Sequence, residues 1–420
     1  MAENFFYTLT LGCKINQYET QAISESWERN GWIRTDNPES AALILVNSCA
    51  VTAHAVRDTR KTARQMRSKA ENAQIIVAGC AAQVFPEEFA NMPEIDRVIP
   101  QAEKHRLSSP QCPGNIHMRI SDFFRARAPV RVQDGCTHHC TYCIVPSTRG
   151  KSVSRTPADV LLEIQELMRS GIQEISLCGI NLRQYGRDLE PCLDFWDLLH
   201  FLHEHLQPED KKLRVRLSSL EPSELGSKAM QTLGACSNFL CPHLHISLQS
   251  GSPEILKKMG RGHYRPEQLL DFSRELKKIW PVFGLGADIL IGFPGEDDRL
   301  YLETRDMLRL LPLTYAHIFP YSPRPGTAAA EFPAQINPGE KKERCRQLNK
   351  EIQIKKLDFR KNLLKLPCVH PVLESTTRGT NEFFVPTRFE SPLPENRIRK
   401  IMPAVPVSLE NETIIARQRL

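Results

Sequence analysis

A chain of 420 residues with 41% hydrophobic and 25% charged side chains reads as a globular protein of two or three domains, which excludes a disordered chain. Its net charge of +6 permits a polyanionic partner without demanding one. Its 13 cysteines, an odd count, argue against a disulfide framework and leave metal ligation, redox chemistry and core packing to explain them.

The N-terminus, MAENFFYTLTLGCK, lacks the charged region and long apolar core of a signal peptide. The longest apolar stretches, Ala41 to Val46 and Ile289 to Phe293, are of strand length, so no membrane span and a cytoplasmic protein are expected. Strand-like runs occur at Phe5 to Leu11, Ala42 to Val46 and Ile75 to Ala78, with helical patterns at Gln17 to Asn30 and Ala53 to Lys69 between them. Apolar strands alternating with helices predict a doubly wound parallel α/β domain over residues 1–110. Residues 101–128, with Pro110, Pro113 and scattered charge, read as a linker.

A second alternating series spans residues 122–355. Its strands are Val130 to Gln133, Glu174 to Cys178, Leu213 to Leu217, Leu244 to Leu248, Ala287 to Ile291 and Ala316 to Phe319. Thr156, Pro157 and Asp159 start the first helix of this series, and Gly171 ends it. Six such strands predict a partial (β/α)6 barrel rather than a closed eight-stranded one. A basic helix follows from about Lys341 to Leu366. Residues 366–420 are rich in proline, with short strand-like pieces, and predict a small all-β domain.

Directly after the first barrel strand stands Asp134-Gly-Cys136-Thr-His-His-Cys140-Thr-Tyr-Cys143. The C-x3-C-x2-C spacing gives three thiolates to a [4Fe–4S] cubane and leaves one iron without a protein ligand. S-adenosylmethionine can chelate that iron, and one electron then splits it to a 5′-deoxyadenosyl radical. Tyr142 stands where an aromatic ring can pack on the adenine. The competing reading is a structural zinc knuckle that borrows His138 or His139, but no second cysteine pair follows at zinc spacing.

Cys13, Cys49 and Cys80 are far apart in sequence, yet each follows a predicted parallel strand, in LGC, NSC and AGC. In a doubly wound sheet those strand ends share the ligand-binding edge. Three thiols there can hold a second three-ligand cluster; the alternative is three small-residue turns that happen to carry cysteine.

These motifs resemble the radical methylthiotransferases over most of the chain. LGCKINQYET, NSCAVT and AGCAAQ are similar to that family's auxiliary-cluster domain, and QDGCTHHCTYCIVPSTRG to its radical loop. GCKINQYE, LSSLEP, CPHLHISLQSG, DILIGFPGE and FPYSPRPGT resemble the branch acting on tRNA N6-threonylcarbamoyladenosine. The resemblance implies two [4Fe–4S] clusters, on Cys13, Cys49, Cys80 and on Cys136, Cys140, Cys143, with S-adenosylmethionine as cosubstrate. It implies methylthio insertion at C2 of adenosine 37 in the anticodon stem-loop of tRNA, and a C-terminal RNA-binding TRAM barrel. A flavodoxin or ferredoxin electron donor and a monomeric enzyme are expected with it. The run Gly150-Lys-Ser-Val-Ser-Arg155 departs from the family's usual Gly-Pro-x-Arg-Ser-Arg, and the tail has few glycines and many prolines for a TRAM barrel.

Asn181, Ser219, Glu221, Gln249 and Asp288 lie at or near the carboxyl ends of barrel strands and are candidates to contact S-adenosylmethionine. Arg57, Arg60, Lys61, Arg64 and Arg67 recur at helical spacing after Cys49, and Arg149, Lys151 and Arg155 form a second basic group. Both groups are candidates for RNA phosphate, against the plainer reading of solvated faces. His243 and His245 share one strand face. Rival functions are the same chemistry on isopentenyladenosine tRNA or on a ribosomal protein, a radical enzyme whose second cluster only relays electrons, and a zinc RNA-binding module.

Overall fold

The computed structural model describes residues 4–109, 118–206 and 213–419, in two compact units. The first comprises Met1–Ser121, Asp134–Val153 and Ser322–Ala330, and the second Asp122–Gln133, Ser154–Tyr321 and Glu331–Leu420. The cysteine loop therefore belongs with the N-terminal sheet, and the C-terminal β-structure belongs with the barrel.

The first unit is built on β1 (Phe5–Thr10), β2 (Ile33–Arg34), β3 (Leu43–Ser48), β4 (Gln74–Gly79) and β5 (Arg97–Pro100), all parallel in the order β2-β1-β3-β4-β5. Strand alternation sends Leu43 and Leu45 to one face and Ile44 and Val46 to the other, so the central strand is buried on both sides. Helix α1 (Lys14–Arg29) covers the first face with Ile23 and Trp27. The Trp27 ring meets Phe6 edge-on at 5.2 Å, and its indole N–H donates to the Leu107 carbonyl. Helix α2 (Ala53–Lys69), capped by Thr52, covers the second face with Val56, Ala63 and Met66. That stripe turns its Arg- and Lys-bearing side outward. Short helices α3 (Cys80–Val84) and α4 (Pro86–Ala90) follow β4.

The expected linker is only partly one. Gln101–Arg106 forms a 3₁₀ turn that buries Lys104, and the first barrel strand already begins at Arg127. Pro110 and Pro113 lie outside the described residues. Polar composition suggested an exposed segment, but the lysine finds a buried carboxylate.

The barrel strands fall where the apolar runs placed them. They are β6 (Arg127–Asp134), β8 (Glu174–Gly179), β9 (Arg214–Leu217), β10 (His243–Gln249), β11 (Gly284–Ile291) and β12 (Tyr315–Pro320), with the two-residue β7 (Val153–Ser154) beside β6. Parallel bridges Val215↔Leu240 and Leu220↔Ile246 join the two halves, and no ladder among the described residues pairs β12 with β7. This is an open, partial barrel. Its helices are α6 (Pro157–Arg169), α7 (Phe195–His205), α8 (Ser227–Ala235), α9 (Pro253–Lys258), α10 (Gln268–Ile279) and α11 (Asp298–Leu310), while α5 (Val145–Arg149) closes the cysteine loop. Thr156 caps α6 as expected, accepting from the Asp159 amide. None of the described helices is long and apolar enough to cross a membrane.

After α12 (Pro338–Leu363) come β13 (Val372–Leu373), β14 (Arg378–Thr380), β15 (Pro386–Phe389), β16 (Ala404–Glu410) and β17 (Thr413–Gln418). They form one sheet, antiparallel except for the parallel pair β15–β17, around Leu373, Phe383, Phe389 and Ile414. Glu174 joins this sheet to the barrel. Its carboxylate receives Arg214 Nε and Arg216 Nε, each at 2.9 Å, while Arg216 donates onward to the carbonyls of Asn381 and Glu382.

Burial alone would raise the Glu174 carboxyl, but Arg216, Arg214 and Arg127 overcome it and hold the group down to about 2. The Glu174 contribution is therefore complete above the ordinary carboxylate range and is lost as pH falls from about 4.5 toward about 2. Glu174→Gln should cost about 3–5 kcal/mol at pH 7, because it strands buried arginines. Urea unfolding of both proteins should show that gap narrowing by pH 3; a gap independent of pH would contradict the assignment.

Candidate functional site

The register of the first sheet fixes where its cysteines go. Thr10 pairs with Asn47, and Ser48 with Gly79, so β1, β3 and β4 end level with one another. Cys13, Cys49 and Cys80 follow those ends and gather there. Cys80 lies close enough to Cys13 and Cys49 for its charge to raise both their thiols, and Cys13 close enough to raise that of Cys49. Gly12 makes the approach possible: its φ is +92°, and a Cβ there would stand 2.6 Å from Cys49 Cβ. Cys49 and Cys80 are buried, and burial pushes the Cys49 thiol up to about 11. Cys13 reaches solvent, yet protein packed around it raises its thiol as well. Three thiols without disulfides at one sheet edge are the donor set of a soft metal centre, and a bound metal would hold them as thiolates.

The second cysteine loop is shaped by a turn that only glycine permits. Gly135 has φ +69°, and a Cβ on it would lie 1.9 Å from the Lys151 carbonyl oxygen. The Cys136 amide donates to the Gly150 carbonyl and the Cys143 amide to that of Cys140, which draws the three cysteines into one tight loop. The C-x3-C-x2-C spacing of this loop is that of a three-cysteine cluster site, and Tyr142 is half-buried before the last cysteine.

Arg149 ties this loop to the sheet edge. Its guanidinium donates to Asp134 Oδ1 (2.8 Å), Glu19 Oε1 (3.0 Å), Glu19 Oε2 (3.2 Å) and Asn16 Oδ1 (2.7 Å). The Asn16 amide in turn holds the carbonyls of Leu11 and Ser48, beside Cys13 and Cys49. Lys104 completes the group, donating to Glu19 (2.7 Å) and Asn47 (2.9 Å). The Arg149 and Glu19 side chains are 2% and 1% exposed. Burial would lower the Arg149 pKa, but Glu19 and Asp134 raise it well above its ordinary value. The field of Arg149 also reaches Cys80, Cys13 and Cys49. The sequence reading assigned Arg149 to RNA; two carboxylates and an amide claim it instead. A positive residue near cysteines was visible in sequence, but its partner 130 positions away was not.

Known proteins share this arrangement of sequence. The radical SAM superfamily signature matches residues 130–308, and that of "Uncharacterized protein family UPF0004" matches residues 5–100. The chain is 32% identical to "Threonylcarbamoyladenosine tRNA methylthiotransferase MtaB" of Thermotoga maritima, over 97% of this chain and 95% of that protein. The chain belongs to the radical SAM tRNA methylthiotransferases. A "tRNA-2-methylthio-N(6)-dimethylallyladenosine synthase" of Clostridium botulinum is 34% identical over 82% of this chain and 80% of its own length. In fold the chain is similar to the radical S-adenosylmethionine methyltransferase TsrM of Kitasatospora setae, with TM-score 0.56 and 14% identity, over 78% of this chain and 77% of that one.

For a radical SAM tRNA methylthiotransferase, the remaining candidates divide by partner. Asn181 follows β8 and its backbone N–H donates to Gln133 Oε1, and Ser219 is exposed after β9. Gln249 ends β10 at φ 64°, an unusual backbone for a residue with a side chain. Glu221 is buried; burial would raise its carboxyl, yet Arg261, His263 and Arg183 hold it low, so those side chains already occupy it. Asp288 lies within β11 rather than at its end, 3.1 Å from His245 Nε2, and with His317 their donor atoms lie within 4.8 Å of one another. Tyr315 bonds His245 and His243 on the same wall.

The basic candidates separate as sharply. Arg57 and Lys61 are exposed, with no ion pair among the described residues, and Arg64 is exposed beside Glu94 at 3.6 Å. Arg60 is paired with Glu88, and Arg67 is spent on Asp96 and three carbonyls. Lys151 is exposed. Arg155 is paired with buried Glu163 and bonds the Arg131 and Asp159 carbonyls, so it is a fold residue rather than a phosphate contact.

Arg149→Gln should cost about 3–5 kcal/mol in urea unfolding, because two carboxylates lose their cation. Adding Glu19→Gln should restore part of that loss, a coupling between residues 130 positions apart. Simple additivity of the two changes would show that the pair does not hold the loop to the sheet.

Proposed function

We propose that this chain inserts a methylthio group at C2 of N6-threonylcarbamoyladenosine 37 of tRNA. The observation that carries the reading is the presence of two cysteine triads in one compact unit, with Arg149 fixed to both cysteine-bearing elements. Cys136, Cys140 and Cys143 would hold one [4Fe–4S] cluster, and Cys13, Cys49 and Cys80 the other. When bound, the clusters with S-adenosylmethionine supply reducing electrons, a carbon-centred radical and a site for sulfur. A flavodoxin or ferredoxin is the proposed electron source.

The protein's own part is placement and charge. Asn16 and Gly12 set the turns that carry Cys13 and Cys49. Gly135 and the Cys136–Gly150 bond close the other loop. Asn181, Ser219 and Gln249 stand at strand ends where barrel ligands bind. Arg57, Lys61, Arg64 and Lys151 offer exposed cations to the phosphates of an anticodon stem-loop. Full-length similarity to the Thermotoga protein, together with GCKINQYE, favours threonylcarbamoyladenosine over dimethylallyladenosine.

Nucleoside mass spectrometry of tRNA from a host given this chain should gain 2-methylthio-N6-threonylcarbamoyladenosine. Gain of the dimethylallyl analogue alone would reassign the substrate. Cys49→Ala should abolish the methylthio product while S-adenosylmethionine cleavage persists; slow product formation would instead make the N-terminal cluster a relay. Arg57→Ala and Lys61→Ala should each weaken tRNA binding and flatten its log-salt slope by roughly one phosphate contact.

A further inference from the structure

The loops that leave neighbouring barrel strands enclose a cavity of about 530 Å³, the size of a small-molecule site. It lies within the second unit, beyond the carboxyl ends of β8 and β9, where a barrel carries its ligands. Arg183 and Arg187 line it from the loop after β8, Ser223 and Ser227 from the turn and helix after β9, and His263 from the segment after α9. The first of these loops is fixed by its backbone. Gly186 has φ +79°, where a Cβ would run into the Leu193 carbonyl, and its amide donates to Ser154 Oγ at 2.8 Å. The Leu193 amide returns to the Gly186 carbonyl at 3.1 Å, so Arg187 stands at a closed turn.

The charges around this cavity do not cancel. Lys228 is taken by Asp194 and Asp197, at 2.7 and 2.6 Å. Arg183 shares the buried Glu221 carboxylate with Arg261 and His263, so one carboxylate faces two guanidinium groups. Arg183 makes those contacts through Nη1, which leaves its Nε–H and Nη2–H edge without an acceptor among the described residues. Arg187 is exposed and has no ion pair or hydrogen bond among the described residues. Nor do the Ser223 and Ser227 hydroxyls have a hydrogen bond among them. Burial, with Glu221 adding to it, pushes the Glu224 carboxyl on the same wall up to about 8, so at neutral pH it is mostly an O–H rather than a negative charge. The cavity thus has guanidinium and hydroxyl donors to give and a surplus of positive charge.

Threonylcarbamoyl and dimethylallyl groups meet such a lining differently. The first carries a carboxylate and a hydroxyl; the second is all hydrocarbon. A hydrocarbon in the cavity strips water from arginines and hydroxyls without replacing its bonds. A carboxylate takes two parallel bonds from a guanidinium edge. We propose that this cavity holds the N6-threonylcarbamoyl group of the target adenosine, with Arg183 and Arg187 on its carboxylate and Ser223 or Ser227 on its hydroxyl. This rests on the reading that the chain acts on threonylcarbamoyladenosine 37, and it makes Arg183 and Arg187 residues of substrate specificity. An RNA phosphate offers the same oxyanion charge, but its contact is blind to what residue 37 carries.

The test uses the cluster-loaded full chain, with iron counted in every sample. Its probes are anticodon stem-loops identical except at residue 37, which is adenosine, threonylcarbamoyladenosine, the methyl ester of the latter, or dimethylallyladenosine. Dissociation constants are read by fluorescence anisotropy. Wild type should bind the threonylcarbamoyl RNA most tightly and its ester about 10- to 100-fold more weakly, the worth of hydrogen bonds to a charged group. Arg187→Gln should lose a similar factor on the threonylcarbamoyl RNA and nothing further on the ester, because the two changes remove one interaction. Arg187→Lys should recover part of the affinity, since charge is kept and the fork is lost. An equal loss on all four RNAs overturns the proposal and makes Arg187 a phosphate contact. An ester bound as well as the acid, or an undiminished preference for the threonylcarbamoyl RNA in both Arg187→Gln and Arg183→Gln, overturns it while leaving the substrate reading intact. Wild type that binds the dimethylallyl RNA as tightly as the threonylcarbamoyl RNA, or more so, overturns the substrate reading and this inference with it.

Discussion

The contact between Arg149 and Glu19 fixes the cysteine loop of residues 134–149 to the edge of the N-terminal sheet. A guanidinium and a carboxylate removed from water attract strongly only when their other donors and acceptors are also filled. Here they are. Glu19 takes two bonds from Arg149, one from Lys104 and one from Gln101, and Arg149 has further bonds to Asp134 and Asn16. Two cations therefore face two carboxylates, and the group is close to neutral by itself. Neutrality matters because three thiols gather above it. Thiolates bound to metal add negative charge, which a surplus carboxylate would oppose and a surplus cation would overcorrect.

The same network explains why the cysteine loop belongs with the N-terminal sheet although it follows a barrel strand in sequence. Asp134 opens the loop and Arg149 closes it, and both reach Glu19 or each other. Covalent order would put the loop with the barrel; electrostatics puts it with the sheet. A domain boundary drawn along the sequence has no access to that choice.

How much was legible follows from the range over which each signal acts. Apolar runs report burial residue by residue, so Ile75 to Ala78 and Ala287 to Ile291 mark their strands within a few positions. Cysteines after three strands were legible because parallel topology alone brings strand ends together. Basic residues were not, because charge declares itself in sequence while its counter-charge does not. Arg155, Arg149 and Arg67 looked like a phosphate-binding surface and are held by Glu163, Glu19 and Asp96. Asn16 and Glu19 did leave a trace: polar residues three apart, on the helix that buries Ile23 and Trp27. The polar stretch at 101–106 looked like a linker for the same reason, since Lys104 without Glu19 has no cause to be buried.

Sorting the arginines by what they touch gives each a different meaning. A paired and buried arginine, such as Arg149 or Arg216, holds elements together, and its charge is consumed within the fold. An exposed one with no ion pair among the described residues, such as Arg57, keeps its charge for a partner but is screened by salt over about 8–10 Å. Arg324 is the third kind: buried, with no acceptor for Nε–H or Nη2–H among the described residues, so its charge is neither consumed within the fold nor offered to solvent.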